Sequence, residues 1–240
     1  MTSIAAPDLS SRRRLPEIMD QPGLDPAEHA AALRALGRVN ALSRAGSALW
    51  PAIARLARRC RDEPLRVLDV ASGGGDVPIS LARRAVRTGL PVRVEGCDIS
   101  PRATAFARAE ALAQGVAVRF FEWDVRGGPL PEGYDVLTCS LFLHHLDEAE
   151  AVDLLARMSQ AARRLVLVDD LVRSRLGHAL AWVGCRLLSN SPVVRHDGPV
   201  SVSAAFTPAE AAALAGRAGL AGARVNRHWP QRFLLSWCRP

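Results

Sequence analysis

No stretch of the 240 residues comes near the roughly 18 consecutive apolar positions that a membrane-spanning helix needs, which excludes a transmembrane segment and points to a soluble chain. The basic run Ser11-Arg12-Arg13-Arg14 is not followed by an apolar stretch, so a secretory signal is excluded as well. The five cysteines, Cys60, Cys97, Cys139, Cys185 and Cys238, include no C-x-x-C pair of the kind that binds zinc or cycles between redox states. No metal centre is expected. Free, mostly buried thiols imply a reducing compartment, here taken as the cytoplasm. Internal repeats and low-complexity segments are absent, which confines expected disorder to the terminal tails, chiefly a basic tail over 1–14. Lysine is missing too: all 31 basic residues are arginines, against 24 acids, for a net charge of +7. They are spread over every segment, whereas a nucleic-acid footprint gathers its cations on one face. The spread argues against a nucleic-acid partner and leaves an anionic small molecule or a plain basic surface.

What the chain does have is apolar content, 49% of residues, enough for one large core. The segment Asp25-Pro26-Ala27-Glu28 combines an N-cap, a proline at the first helical position and a Glu able to close a capping box, and it predicts a helix over 26–38. A second helix follows over 45–60. Residues 15–62 thus read as a helical cap preceding the first strand. From Leu65 onward, short apolar runs alternate with helical periods, as in βαβ units on a mostly parallel sheet. Strands are predicted at 65–70, 92–97, 117–123, 134–139 and 163–169, with helices over 76–88, 101–114 and 147–162. After the fifth strand the rhythm changes. Residues 176–188 read as an amphipathic helix, 189–206 as irregular, and Thr207-Pro208-Ala209-Glu210 as the start of another helix, so that a cap is inserted at about 171–206 of a core spanning 63–240. The chain finishes with an antiparallel hairpin over 223–237.

Chemistry begins at Val67-Leu68-Asp69-Val70-Ala71-Ser72-Gly73-Gly74-Gly75-Asp76, a buried strand running into a glycine-rich turn and then a helix. Such a turn lets a ligand approach the main chain closely; the plainer reading is an ordinary strand-to-helix turn. A dinucleotide fingerprint, G-x-G-x-x-G, would place its third glycine at position 78, where the residue is Pro78. The acid at the end of the second strand, Asp98, can accept bonds from both hydroxyls of a ribose, which fits any adenosine-containing cofactor; Asp98 could also serve only as a cap.

These segments together resemble the class I S-adenosylmethionine-dependent methyltransferases, including the quinone-pathway and natural-product enzymes. Asp69 to Gly75 is similar to the family's first motif, with Ala71 in place of the usual first glycine. Asp98 matches the ribose-binding acid, Trp123-Asp124-Val125 the adenine segment, and Tyr134 to Leu141 the fourth motif, while the final hairpin resembles the family's antiparallel last strand. The resemblance covers about 65–240. It implies a Rossmann-like, doubly wound, mostly parallel seven-stranded sheet and S-adenosylmethionine as cofactor. It further implies that Gly73 and Gly75 lie beside the methionyl part, that Asp69 faces its amino group, that Asp98 holds the ribose, and that Ala71, Ser72 and Ile99 also belong to the cofactor site. Asp124 and Val125 would hold the adenine, with Ser140 at the end of the fourth strand.

The acceptor is expected at the carboxyl end of the sheet, where His144 and His145 follow the fourth strand. A phenol arrives protonated at neutral pH and needs a base, a task that suits histidine. Some natural-product O-methyltransferases of this class pair a His at this spot with an Asp at the end of the fifth strand. Here Asp169-Asp170 stands there, and His144 with Asp170 is the expected pair; fixing a loop is the alternative role for either ring. Arg195-His196-Asp197 and Arg173 could hold an anionic acceptor, or form a solvated loop. The apolar stripe Leu176, Leu180, Val183, Leu187 and Leu188 reads as core or as a pocket wall. The expected reaction is methyl transfer to a small aromatic or polyketide-like acceptor, by O-methylation of a phenol or hydroxyquinone, with C-methylation of a quinone-type ring as the alternative. A nucleic-acid methyltransferase lacks its proline-aromatic fourth motif here, because Cys139-Ser140-Leu141-Phe142 offers no stack for a flipped base. An NAD-linked oxidoreductase is opposed by Pro78, and a non-catalytic adenosyl-binding module stays open.

Overall fold

The structure is a computed structural model, and it describes residues 8–21, 23–43, 45–60 and 63–240. Two helices, α1 (Pro26–Leu42) and α2 (Ala45–Ala57), precede the sheet. α1 opens as its sequence dictates, with the Asp25 carboxylate accepting from the backbone of Ala27 and Glu28. Alternation then follows through β1 (Leu65–Val70), α3 (Asp76–Thr88), β2 (Val92–Asp98), α4 (Pro101–Ala113), β3 (Arg119–Glu122) and β4 (Val136–Ser140). After a turn of 3-10 helix at Leu143–His145 come α5 (Glu148–Ala161), β5 (Leu165–Leu171), α6 (Arg175–Leu188), α7 (Pro192–Ala204), α8 (Pro208–Arg217), β6 (Arg224–His228) and β7 (Arg232–Cys238).

The seven strands lie in the order β3-β2-β1-β4-β5-β7-β6, with the first five parallel and β7 antiparallel to both neighbours. Side chains alternate across the sheet, so each strand feeds two cores. Leu65 and Val67 of β1 and Leu165 and Leu167 of β5 pack with Leu49, Trp50 and Ile53 of α2 and Leu81 of α3. Leu68 and Val70, with Val166 and Val168, face Leu154, Leu155 and Met158 of α5 and Leu214 of α8. A reversal of strand order between β1 and β4 opens a crevice at the carboxyl ends, where ligands bind in such sheets.

Beyond shifts of two to four residues at some helix and strand ends, two segments differ in kind from their sequence-based expectation. The segment expected to be irregular over 189–206 is mostly the helix α7, which carries Pro199 inside it. Its Ser191 cap and buried Val193, Val194 and Val202 outweigh the polar run Arg195-His196-Asp197-Gly198 that hides the helical period. Of the basic tail expected over 1–14, residues 1–7 lie outside the described residues, and 8–14 are bonded to the core: Arg12 Nε donates to the Ala204 carbonyl, the Arg13 amide to Ser203, and Arg14 to His145. Arginines that reach buried carbonyls are held by partners that a one-dimensional reading cannot see. α6 and α7 pack closely, since a Cβ added at Gly198 would lie 2.4 Å from Cys185 Sγ.

The chain leaves β1 and β4 through left-handed residues, Ala71 at φ 54° and Leu141 at φ 55°. A left-handed conformation costs an L-residue about 1–2 kcal/mol, so the glycine usual at the position of Ala71 has a physical reason. Replacing Ala71 by Gly is expected to raise the unfolding free energy by about 0.5–1 kcal/mol, part of the gain being offset by the freer unfolded chain. Urea denaturation of both forms at one pH measures it.

Candidate active site

A single cleft of about 1570 Å³ runs over the carboxyl ends of β1, β2 and β4 and beneath α1 and α6. Its floor is the glycine turn. Gly75, at φ 78°, caps α3 and packs so tightly that a Cβ would sit 2.7 Å from Ala107 and the Phe120 ring. At Gly73, φ 51°, the same added atom would meet nothing within 4 Å. One glycine is therefore required by packing, and the other leaves its backbone open to a ligand. Asp98 Oδ2 accepts from the Gly73 amide at 2.8 Å and Oδ1 from Ser100 at 2.9 Å, which fixes the carboxylate at the rim with lone pairs to spare. Ser72 Oγ and Ser140 Oγ are buried polar atoms with no partner among the described residues. Groups of this kind are rare in a folded protein unless a water or ligand meets them.

Asp69 lies 1% exposed beneath this floor, bonded by Thr138 Oγ1 at 2.5 Å. Burial, reinforced by the nearby Asp76, Asp98 and Asp169, pushes its carboxyl up to about 8 against the bond from Thr138. Ile99 is 63% exposed and lines the cleft, as do Asp124, exposed, and Val125, buried. All ten residues expected around the cofactor except Gly75 line this one cleft, and Gly75 shapes it from below.

His144 and Asp170 lie in contact. His144 Nδ1 lies 2.7 Å from Asp170 Oδ1, and its backbone amide donates to Asp170 Oδ2 at 3.0 Å, so both carboxylate oxygens grip one residue. Burial opposes the charge on Asp170, but His144 and its bonds outweigh it and hold the carboxyl below its usual range. His145 is bonded through Nδ1 to Asp20 Oδ2 at 3.2 Å. Although burial disfavours the charged ring, Asp20, Glu17 and Asp170 outweigh that effect and raise its pKa.

Sequence reasoning missed Glu17 and Asp20, which lie in an irregular strap without periodicity. Glu17 Oε1 stands 3.7 Å from His144 Nε2 and accepts from Ser201 Oγ at 2.6 Å. Glu17, His144 and His145 together bring one potential metal-ligand atom each within 4.8 Å of one another.

The residues expected to hold an anionic acceptor do not form such a site. Arg173 is buried with every nitrogen engaged: Nη1 and Nη2 bind Glu210 at 2.8 and 2.6 Å, Nη1 also reaches the Ala205 carbonyl, and Nε reaches that of Leu9. Arg195 turns back to Ser189, Arg186 and Asn190. Asp197 accepts from the Ile18 and Met19 amides at 2.9 and 3.0 Å and meets His196 Nδ1 at 2.9 Å, so it anchors the strap rather than a ligand. Arg173 and Asp197 are satisfied by partners far along the chain, and Arg195 by neighbours within nine residues. Cys139 is fully buried and its thiol is pushed well up by burial, which counts against a nucleophilic role.

Comparison with known proteins agrees with this geometry. A family model described as a methyltransferase domain matches residues 67–164. The ubiquinone biosynthesis O-methyltransferase of Xanthomonas euvesicatoria is 30% identical over 178 residues, 71% of this chain and 70% of that protein. The chain belongs to the class I S-adenosylmethionine-dependent methyltransferases. The demethylmenaquinone methyltransferase of Thermus thermophilus is 36% identical over 108 residues, and there the match spans about half of each protein, 44% of this chain and 47% of the relative. Among solved structures, human N-acetylserotonin methyltransferase with S-adenosylmethionine aligns with a TM-score of 0.66 at 17% identity, over 90% of this chain and 56% of that one. An O-methyltransferase from neocarzinostatin biosynthesis, solved with S-adenosylhomocysteine and 1,4-dihydroxy-2-naphthoic acid, aligns at 0.65 and 21% identity, over 90% and 59%. S-adenosylmethionine is the cofactor of this class of enzymes, and the open backbone at Gly73 and the two orphaned serine hydroxyls of the cleft fit it.

Asp69 is expected to make the stability of this methyltransferase depend on pH. Its folded-state value of about 8 exceeds the ordinary carboxylate value of 3.8, so between those limits the native protein binds a proton that the unfolded chain releases. Stability from this group accordingly falls as pH rises from about 4 to 8. In the ligand-free protein, Asp69→Asn is expected to flatten the decline of melting temperature between pH 5 and 8, seen as a wild-type-minus-variant difference that changes with pH. A constant difference would refute the assignment.

Proposed function

We propose that this methyltransferase O-methylates a phenol or hydroxyquinone on a small aromatic acceptor, with His144 as base and Asp170 as the group that positions it. The observation that carries the reading is the 2.7 Å contact between His144 Nδ1 and Asp170 Oδ1, on a ring that borders the cleft. With Nδ1–H donated to the carboxylate, Nε2 carries the lone pair and can accept a phenolic proton, and Asp170 then stabilises the imidazolium. The similarity to a ubiquinone biosynthesis O-methyltransferase and a demethylmenaquinone methyltransferase, and to the neighbour solved with a dihydroxynaphthoic acid, supports an aromatic acceptor.

When bound, the cofactor supplies a methyl group already activated on a sulfonium sulfur, so the protein's work is alignment and water exclusion. Gly73 and the hydroxyls of Ser72 and Ser140 would hold the methionyl part, Asp69 its amino group, Asp98 and Ile99 the ribose, and Asp124 and Val125 the adenine. His145 and its partner Asp20 fix the loop beside the base. The unpaired thiols fit a reducing, cytoplasmic setting. Methylation of ring carbon in the same cleft is the second reading, favoured by the demethylmenaquinone relative; the position of the new methyl in the product separates the two.

His144→Ala is expected to lower kcat on the true acceptor by about 10²–10³-fold, and Asp170→Asn by at least about tenfold. Affinity for S-adenosylhomocysteine, measured by calorimetry, should change by less than about threefold, because neither side chain belongs to the cofactor floor. Unchanged turnover in His144→Ala would sink the base assignment. Separately, a melt with S-adenosylhomocysteine at about 100 times its Kd should raise the midpoint by roughly 5–10 °C, and NAD should leave it where it is.

A further inference from the structure

The apolar stripe of α6 is not core. Leu176, Leu180, Val183 and Leu187 are 56%, 36%, 44% and 79% exposed. At 3.6 residues per turn they fall within a sector of about 60°. Trp182 flanks them at 43% exposure, and Trp229, 67% exposed, stands in the β6–β7 turn, which Gln231 fastens to the start of α6 through Ser174. Leu180, Val183 and Trp229 also rim the cleft. An exposed apolar row of this make-up marks an interaction surface.

Charge identifies the occupant. From Arg173 to Thr207 the chain carries four arginines and one acid, Asp197, which is buried beneath the strap. Arg175 and Arg186 flank the stripe on its outer side and are exposed, and the Arg186 guanidinium lies 3.9 Å over the Trp182 ring. Apolar stripe, basic flank and amphipathic tryptophans together are the pattern of a helix that lies in a membrane surface. A second copy fits worse, because a two-fold pairing of α6 on itself would set Arg175 and Arg186 against like charges.

We infer that α6, with Trp229, docks this methyltransferase on the surface of an anionic lipid bilayer, so that the mouth of the acceptor cleft opens at the lipid. The inference holds whether the acceptor is methylated on oxygen or on carbon. No helix among the described residues is long and apolar enough to cross a membrane, so attachment here is peripheral.

Co-sedimentation of the full chain with vesicles of phosphatidylcholine and phosphatidylglycerol, against phosphatidylcholine alone, tests it. Partitioning is expected to be on the order of tenfold stronger on the anionic vesicles and to weaken with salt. Leu176→Ser with Leu187→Ser, and independently Arg175→Glu with Arg186→Glu, should each reduce it by about tenfold. The thermal shift with S-adenosylhomocysteine should stay at its wild-type size in both variants, which keeps a docking failure apart from a failure of the cofactor site. Absent or equal binding to the two vesicle types would overturn the inference, as would a dimer in light scattering that the Leu176→Ser, Leu187→Ser pair dissociates.

Discussion

At the end of β5 two buried carboxylates follow one another, and alternation along the strand sends them to different partners. Asp170 grips His144, while Asp169 Oδ1 takes His228 Nε2 at 2.9 Å and Arg232 Nε at 3.1 Å. Arg232 is itself 1% exposed and reaches across to Ser43 beyond α1. A buried charge that loses its partner costs about 3–5 kcal/mol. The loop after β4, the final hairpin and the end of the first helix are therefore all tied to one strand end, and the cleft keeps its shape because those ties cannot be released singly at low cost.

Over this frame lies a second layer that has no periodic signal. The strap from 8 to 20 is held by Asp197, Ser203, Ala204 and Phe206, the last lying 3.7 Å under the Arg12 guanidinium. Burial brings that arginine's pKa down to about 10. Arg12 also donates to the His144 carbonyl at 2.6 Å, so the strap and the loop of His144 share a main-chain contact. Glu17 and Asp20 approach the two histidines only because this layer is in place.

What could be read in advance follows from distance along the chain. The strand ends, the glycine turn, Asp98 and the caps at Asp25, Ser100 and Thr207 depend on residues a few positions apart, and they stand where local chemistry puts them. His144 and Asp170 were legible through motif order, since parallel neighbours β4 and β5 end side by side. Arg173, Arg195 and Asp197 were not. Glu210 and Ile18, the partners of Arg173 and Asp197, are distant contacts of the folded chain, while Arg195 turns back on the nearby Ser189 carbonyl; an arginine free to bind a substrate looks the same in sequence as one already satisfied. The α6 stripe was ambiguous for a related reason, because periodicity tells which face is apolar and nothing of what covers it.

Gly198 bears on how such a cleft diversifies. α7 meets α6 through a residue with no side chain, packed against Cys185, so the two helices approach closely at that contact. Both residues border the cleft. Any larger residue at position 198 must push α6 outward or displace the thiol, moving the cleft wall while the cofactor floor on the opposite side stays fixed. The breadth of acceptors this scaffold admits can thus drift through a helix spacing, with neither the His144–Asp170 pair nor the cofactor loop having to change.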